Sequence, residues 1–331
     1  MAGGELTGST RYYVAMKCGR FLLGFIVVCT LHFSLPRLMP GSPVFAMLGP
    51  DVIGLSEKDY AALEAELGLH DSLPVQFARY FVNIVSGDFG FSYFYHLPVK
   101  KVVLIHLKPT LMLLLPSVVL SSLLACILGA VAGRFSGRAG DLVFTPLFLF
   151  LYAMPAFLLA MVSLDLFAFR LDWFPLGGLK GMDTGGCSPG HVLDVMRHLF
   201  LPVVVLSLSS TAAKFLVMRN SVFSSKHQGY VLYARARGLG EGRILFVHIL
   251  REAVLPMISL VGLHVAFIMS GSLLVEIVFS INGMGALIHE AAMNRDYPVL
   301  NTCFLFLTLV VLTVNMVTDV LCGILDPRVR V

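Results

Sequence analysis

The chain has 331 residues, of which 57% are hydrophobic and only 13% charged, with a formal net charge of +4. Soluble domains are about one quarter charged, and a mean hydropathy of +0.85 places this chain among polytopic membrane proteins. So small a net charge does not point to nucleic acid as a partner, and the distribution of charge carries more information than its sum.

A bilayer core takes about 20 apolar residues in helical form. Six segments meet that requirement, near residues 19–39, 110–132, 142–166, 198–218, 254–279 and 299–323. The expected fold is an all-α polytopic membrane protein with six transmembrane helices. The apolar run after Arg20 is too long for a cleavable signal peptide and no small-x-small site closes it, so it reads as a retained first span. Pro36, Pro116, Pro146, Pro155, Pro202 and Pro256 fall within or at the edges of the spans, where proline is tolerated and marks kinks. Residues 40–108 do not span. Within them, 56–68 predict a short amphipathic helix, with Ser56 as N-cap, Asp59 in a capping box, Tyr60, Leu63 and Leu67 on one face, and Gly68 just past the end. The chain therefore divides into a first span plus extracytoplasmic segment, 1–108, and a core transmembrane domain, 109–331. A second outer loop, 167–197, is rich in Gly, Pro and Asp and holds the only tryptophan, Trp173, an expected interfacial anchor.

Lys and Arg in the short loops orient the spans. The N-terminus (Arg11, Lys17, Arg20), the turn with Arg134 and Arg138, the loop 219–253 and the tail (Arg328, Arg330) share one side. The loop alone carries Arg219, Lys226, Arg235, Arg237, Arg243 and Arg251. That side totals thirteen basic residues against five acids, Glu5, Asp141, Glu241, Glu252 and Asp326. Both termini and the loop are thus expected in the cytoplasm. Each Arg or Lys at a bilayer centre costs about 2.5–3.5 kcal/mol, so the bases of 219–253 keep that loop out of the membrane.

Several chemistries are excluded. No Gly-Lys dipeptide occurs, which removes a P-loop. His289-Glu290-Ala291-Ala292-Met293 lacks the second histidine of the zinc-protease signature, and the ten histidines form no ligand set. Gly271-Ser272 would need a histidine from a neighbouring span to act as an intramembrane hydrolase; His264 lies on the same helix, and small residues there suit helix contact. Cys18, Cys29, Cys126, Cys187, Cys303 and Cys322 form no close C-x-x-C pair, which disfavours disulfide or metal roles; all but Cys187 lie in or beside apolar segments and read as small hydrophobes. Acids inside the bilayer are functional candidates by default. Two qualify: Glu276 toward the outer end of its span and Asp319 toward the inner end of its own. Structural pairing, snorkelling and a transport role are all open for them. An autonomous secondary transporter is the alternative reading, which inverted repeats and midplane polar sites would support; neither is visible.

The loop 219–253 is more than a solvated stretch. Residues 230–237 are helix-permissive, with Ala234 and Ala236 and no proline, and Gly238 and Gly240 then end the helix and permit a tight turn. A second helical stretch from about Arg243 runs into Leu255-Pro256, where the fifth span begins. The expectation is a short surface helix, ended by glycine and joined rigidly to a span. Ala234, Ala236 and Gly238 let another protein approach closely, and Arg235 and Arg237 offer guanidiniums to its carboxylates. A chain with no catalytic motif and such a lever is one on which a partner acts.

The string Tyr233-Ala234-Arg235-Ala236-Arg237-Gly238-Leu239, followed by Leu255-Pro256, resembles the EAA loop of ABC-importer permeases. It is most similar to the dipeptide/oligopeptide/nickel branch, whose permeases carry Ala-Arg-Ala-x-Gly-Leu at this place. Leu232 stands where the general consensus has glutamate, and the stretch from Gly238 to Pro256 is longer, as in the peptide branch. Further strings resemble that branch in order: Arg37 to Pro43, Gly68-Leu69, Gly87 to Ser92, Glu276 to Ser280, Gly283-Met284-Gly285, Arg295 to Val299 and Leu325 to Arg328. The literal Glu290-Ala291-Ala292 lies on the outer side and is not the EAA loop.

The resemblance implies a type I importer permease, with six transmembrane helices and a cytoplasmic coupling helix within about 219–256. It implies a multi-pass inner-membrane transport subunit that is not itself an enzyme and carries no cofactor of its own. A second homologous permease subunit completes the pathway. Two cytoplasmic ATP-binding subunits hold ATP and Mg and dock on the coupling helices, and an extracytoplasmic solute-binding protein delivers di- or oligopeptides or related small solutes. The implied coupling residues are Tyr233, Ala234, Arg235, Ala236, Arg237, Gly238 and Leu239, with Gly238 setting the turn.

Overall fold

The computed structural model describes residues 2–38, 70–92, 94–179 and 189–325, with 56, 58 and 64 as isolated positions. The expected helix at 56–68 and the arginines of the tail lie almost wholly outside the described residues. In chain order the elements are α1 (Ala2–Leu38), α2 (Leu73–Ser86), strands β1 (Phe91–Ser92) and β2 (Leu97–Pro98), α3 (Val99–Arg134), α4 (Ala139–Ala153) and α5 (Ala156–Ser163). A π-helical stretch, Leu164–Arg170, extends α5; then come α6 (Pro189–Ser225), α7 (Gly229–Ala236), α8 (Leu250–Val278), α9 (Met284–Met293) and α10 (Tyr297–Leu325). Five helices are long and apolar enough to cross a membrane, and α4 with extended α5 makes a sixth if that bent pair is one span.

The third span departs from the continuous helix expected over 142–166: its two halves meet at 101°. Met154 is extended, at φ −82° and ψ 126°. The ring of Pro155 drives its predecessor out of the α region and brings no amide to the ladder. Pro146, Pro202 and Pro256 instead sit inside helices. The fifth span also starts earlier than Leu255. Glu241–Arg243 and the π-helical Ile244–Ile249 run without interruption into α8, so Pro256 is an interior residue.

The chain forms two compact units, one of residues 1–17, 111–281 and 314–331, the other of 18–110 and 282–313. In the first, α6 packs on α8 and α4 and comes very close to α3. Ser117, Ser121, Ala125, Gly129 and Gly133 recur every four residues on α3, which places them in one stripe. A Cβ on Gly129 would lie 2.8 Å from the Cβ of Met218, and one on Gly133 would lie 2.6 Å from the carbonyl oxygen of Arg219. Small residues let the two backbones come this close. Ser207 Oγ donates to Val203 O at 2.6 Å in its own helix and to Ser117 O at 3.3 Å across the seam. Beyond the seam an apolar cluster includes Phe148, Phe215, Val222, Val231 and Ile244, with the rings of Phe148 and Phe215 stacked at 4.5 Å.

In the second unit, α2 ends on Gly87 at φ 77°, a left-handed cap whose amide bonds back to the last turn. A short hairpin follows, pairing Phe91 with Pro98 and Ser92 with Leu97. Its core joins Val99, Val102 and Val103 of α3 to Met284 and Leu287 of α9 and Val299 and Cys303 of α10. Buried Ser92 donates its hydroxyl to the buried carboxylate of Asp296, which also accepts from Val299 N at 3.3 Å and so caps α10. Tyr95 donates to Glu290 at 2.6 Å; burial, then that bond, raises the phenol's pKa.

Candidate functional site

The short helix α7 has two unlike faces. Val231 and Ala234, three residues apart and so on one face, are buried in the apolar cluster of the first unit. Leu232 and Tyr233 are 70% and 67% exposed, and Ala236 and Arg237 are exposed beside them. The guanidinium of Arg237 lies 5.9 Å from the centroid of the Tyr233 ring. The exposed face therefore offers an aliphatic and an aromatic group on an eight-residue helix, with a cationic group at its C-cap.

Gly238 stops that helix with φ 76°. Its amide donates to Arg235 O at 2.9 Å and the next amide, of Leu239, donates to Ala234 O at 3.2 Å, so the last carbonyls are satisfied. A Cβ at Gly238 would meet nothing within 4 Å; the backbone conformation, not space, calls for glycine. Arg235 then spans the turn, donating to both carboxylate oxygens of Glu241 at 2.6 and 3.3 Å. That bond raises the guanidinium's pKa further. Helix resumes at Glu241 and continues into α8.

Among the seven residues expected to couple, Tyr233, Arg235, Ala236, Arg237 and Gly238 lie exposed. Ala234 is turned into the protein's own core, so close approach from outside rests on Ala236 and Gly238. Arg235 is engaged by Glu241, and Leu239 is partly buried against the apolar cluster. Leu232, noted in the sequence only as a replaced glutamate, is the most exposed side chain of the helix among its large apolar residues.

The two span-edge acids part ways. Asp319 pairs with Lys17 at 2.7 Å, and its carbonyl accepts from Tyr13 at 2.9 Å, so it ties α10 to α1. Glu276 is fully buried in α8, which rules out snorkelling to an interface. Among the described residues no group of three His, Cys, Asp or Glu side chains is placed to hold a metal ion.

Two charged features escaped the sequence reading. Lys214 of α6 is fully buried. Its ammonium donates to Ser121 Oγ at 2.6 Å and Ser122 Oγ at 3.4 Å, and none of the ion pairs formed by the described residues includes it. A buried cation costs several kcal/mol unless compensated, and an ionisable group inside a span is a functional candidate. Its signal was present as the one charge between Leu199 and Met218. The second feature is the pair of Arg219 and Asp141, both read as loop charges. Arg219 Nη2 donates to Asp141 Oδ2 at 2.7 Å and Nε to Oδ1, while Gly137 N and Thr145 Oγ1 each donate at 2.9 Å to the same carboxylate. The pair locks the start of α4 to the end of α6.

Spans held by a small-residue seam, with a two-faced helix capped by glycine ahead of one of them, define a multi-pass membrane protein. The chain belongs to the family of binding-protein-dependent transport system inner membrane components, whose model matches residues 125–331. It is 34% identical to a putative peptide permease protein of Brucella ovis over 93% of this chain and 96% of that protein. It is 31% identical to the oligopeptide transport system permease protein of Bacillus subtilis, covering 93% and 95% of the two chains. With the dipeptide transport system permease protein of Escherichia coli it shares 30% identity over 96% and 98%.

Proposed function

We propose that this chain is the permease subunit of an ATP-driven importer that carries di- or oligopeptides, or related small solutes, across the inner membrane. The positive-inside balance of thirteen bases to five acids supports a cytoplasmic position for α7 and both termini. Two ATP-binding subunits, which hold ATP and Mg, dock on the exposed face around Tyr233, Ala236 and Arg237. A homologous permease completes the pathway, and a solute-binding protein delivers substrate from outside. The substrate class follows the peptide permeases that align along nearly the whole chain.

One observation carries the coupling role: α7 is rooted in the core through Val231 and Ala234, turned at Gly238, and followed by helix that does not break before Val278. A displacement applied at Tyr233 therefore reaches a span instead of being absorbed by a slack loop. ATP binding draws the two ATP-binding subunits together, α7 travels with them, and α8 tilts. Helices α3 and α6, interlocked too closely to slide, move as one body, and the pathway alternates between its two openings.

The test is Gly238→Asp in cells supplied with a labelled dipeptide. Uptake is expected to vanish and co-purification of the ATP-binding subunit to weaken, while the chain still inserts. Normal uptake would sink the lever.

A further inference from the structure

Beside α7 the first unit holds a cavity of about 360 Å³ whose charged lining is Arg134, Arg138, Lys226, Arg235 and Glu241. The single carboxylate is occupied by Arg235. The other three cations form no direct ion pair among the described residues; Arg134 donates to Glu241 O at 3.5 Å, and the Glu241 carboxylate acts on Arg134 and Lys226 only through space. All three line the one cavity, each held by a local contact. The guanidiniums of Arg134 and Arg138 lie over one ring, that of Phe135, at 5.3 and 5.5 Å from its centroid. Lys226 Nζ is tethered at 3.0 Å to the carbonyl of Arg134. The next acid, Asp141, is closed off by Arg219.

Three like charges around a concavity repel one another, and an anion seated among them removes that repulsion. Two guanidinium forks and an ammonium match the several oxygens of a phosphoryl group better than the two of a carboxylate. Phe135 gives the cavity an exposed apolar wall; Val222, Leu245 and Ile249 also line it but are buried in the apolar cluster. Inorganic phosphate has no use for such a wall, whereas the glycerol and first methylenes of a lipid do. Basic pockets among the cytoplasmic ends of spans suit anionic headgroups for this reason.

We propose that this cavity is a phosphoryl-anion site occupied by the headgroup of an anionic phospholipid. Its phosphate bridges the turn at Arg134–Arg138 to Lys226 and so steadies the base of α7. The binding chemistry is independent of which solute is transported; only the leaflet that supplies the lipid rests on the cytoplasmic placement of α7.

The experiment is native mass spectrometry of the complete importer in neutral detergent, incubated with phosphatidylglycerol, with phosphatidylcholine, or with inorganic phosphate. Phosphatidylglycerol is expected to be retained in preference to phosphatidylcholine, and Arg138→Gln with Lys226→Gln to reduce that retention about tenfold or more. Arg138→Lys with Lys226→Arg keeps the charge and is expected to keep the lipid, which separates charge from folding. Equal retention of the two lipids, or undiminished retention in the double Gln variant, would overturn the proposal. Binding of phosphate with no lipid preference would overturn the lipid as occupant. Retention only after the ATP-binding subunits are stripped away would assign the cavity to an acidic side chain of that partner instead. Uptake is not read in any arm, so a failure here is distinct from a failure of the transport function.

Discussion

The α3–α6 seam and the α7 turn both depend on glycine, for opposite reasons. At Gly129 and Gly133 there is no room: an added carbon would stand 2.8 Å or less from the neighbouring helix. At Gly238 there is nothing but room, and the residue is set by a φ of 76°. The seam turns two spans into one stiff body, and the turn aims a short helix at whatever lies outside the bilayer. The proposed coupling role needs both, because force applied at a lever is useful only if the far end does not yield.

The sharpest way to break this contrast is Gly133→Val. The obstructing atom is the Arg219 backbone oxygen, which has no rotamer to offer, so α3 and α6 must separate. A cost of about 3 kcal/mol, the upper end for overpacking, is expected to remove folded protein from the membrane, read as accumulation and melting temperature in detergent. Undiminished accumulation would show that the helices are not closely packed there. Next in size is Asp141→Asn, which leaves Arg219 facing a neutral amide at the end of the same seam. Breaking a buried pair costs several kcal/mol; Arg219 retains some access to solvent, and a loss of about 2 kcal/mol is expected, again in the melting temperature. No change would mean the pair is incidental to α4–α6 docking.

Gly238→Ala tests the other side. An L-residue in the left-handed region costs about 1 kcal/mol, and the space around this position accommodates the methyl. The expected outcome is a fully inserted protein, slightly less stable, with uptake reduced well beyond what that loss explains. Uptake falling only in proportion to protein level would show that the turn is a connector and nothing more.

Hydropathy made the spans legible, and glycine made the end of α7 legible, because both are local. The faces of α7 were not. Eight residues are too few for periodicity to assign a buried side, and Ala234, small enough for either environment, went inward. Prolines were visible but not their consequences: Pro155 breaks its helix while Pro146, nine residues earlier, is absorbed. The strings Gly87–Ser92 and Arg295–Val299 were recognisable separately; that Ser92 donates its hydroxyl to Asp296 across 204 residues is a fact of folding alone. The Arg219–Asp141 pair was hidden in the same way, as two ordinary loop charges 78 residues apart.

Lys214 gives the finest comparison, since it is a charge placed inside the stiff region. Hydropathy averaged over a span conceals one lysine among so many aliphatic residues, so the sequence carried it without emphasis. If its bonds to Ser121 and Ser122 served as a strut between α3 and α6, removing them would cost about 1.5–3 kcal/mol, as for other hydrogen bonds to charged groups. The seam, however, already holds through Gly129, Gly133 and the Ser207 bridge, and an apolar side chain of similar length avoids desolvating a cation. Lys214→Met is therefore expected to leave the melting temperature unchanged or raise it slightly, and to lower uptake, because a costly intramembrane charge that adds no stability is retained for function. A clear drop in melting temperature would reverse that assignment and make Lys214 part of the seam.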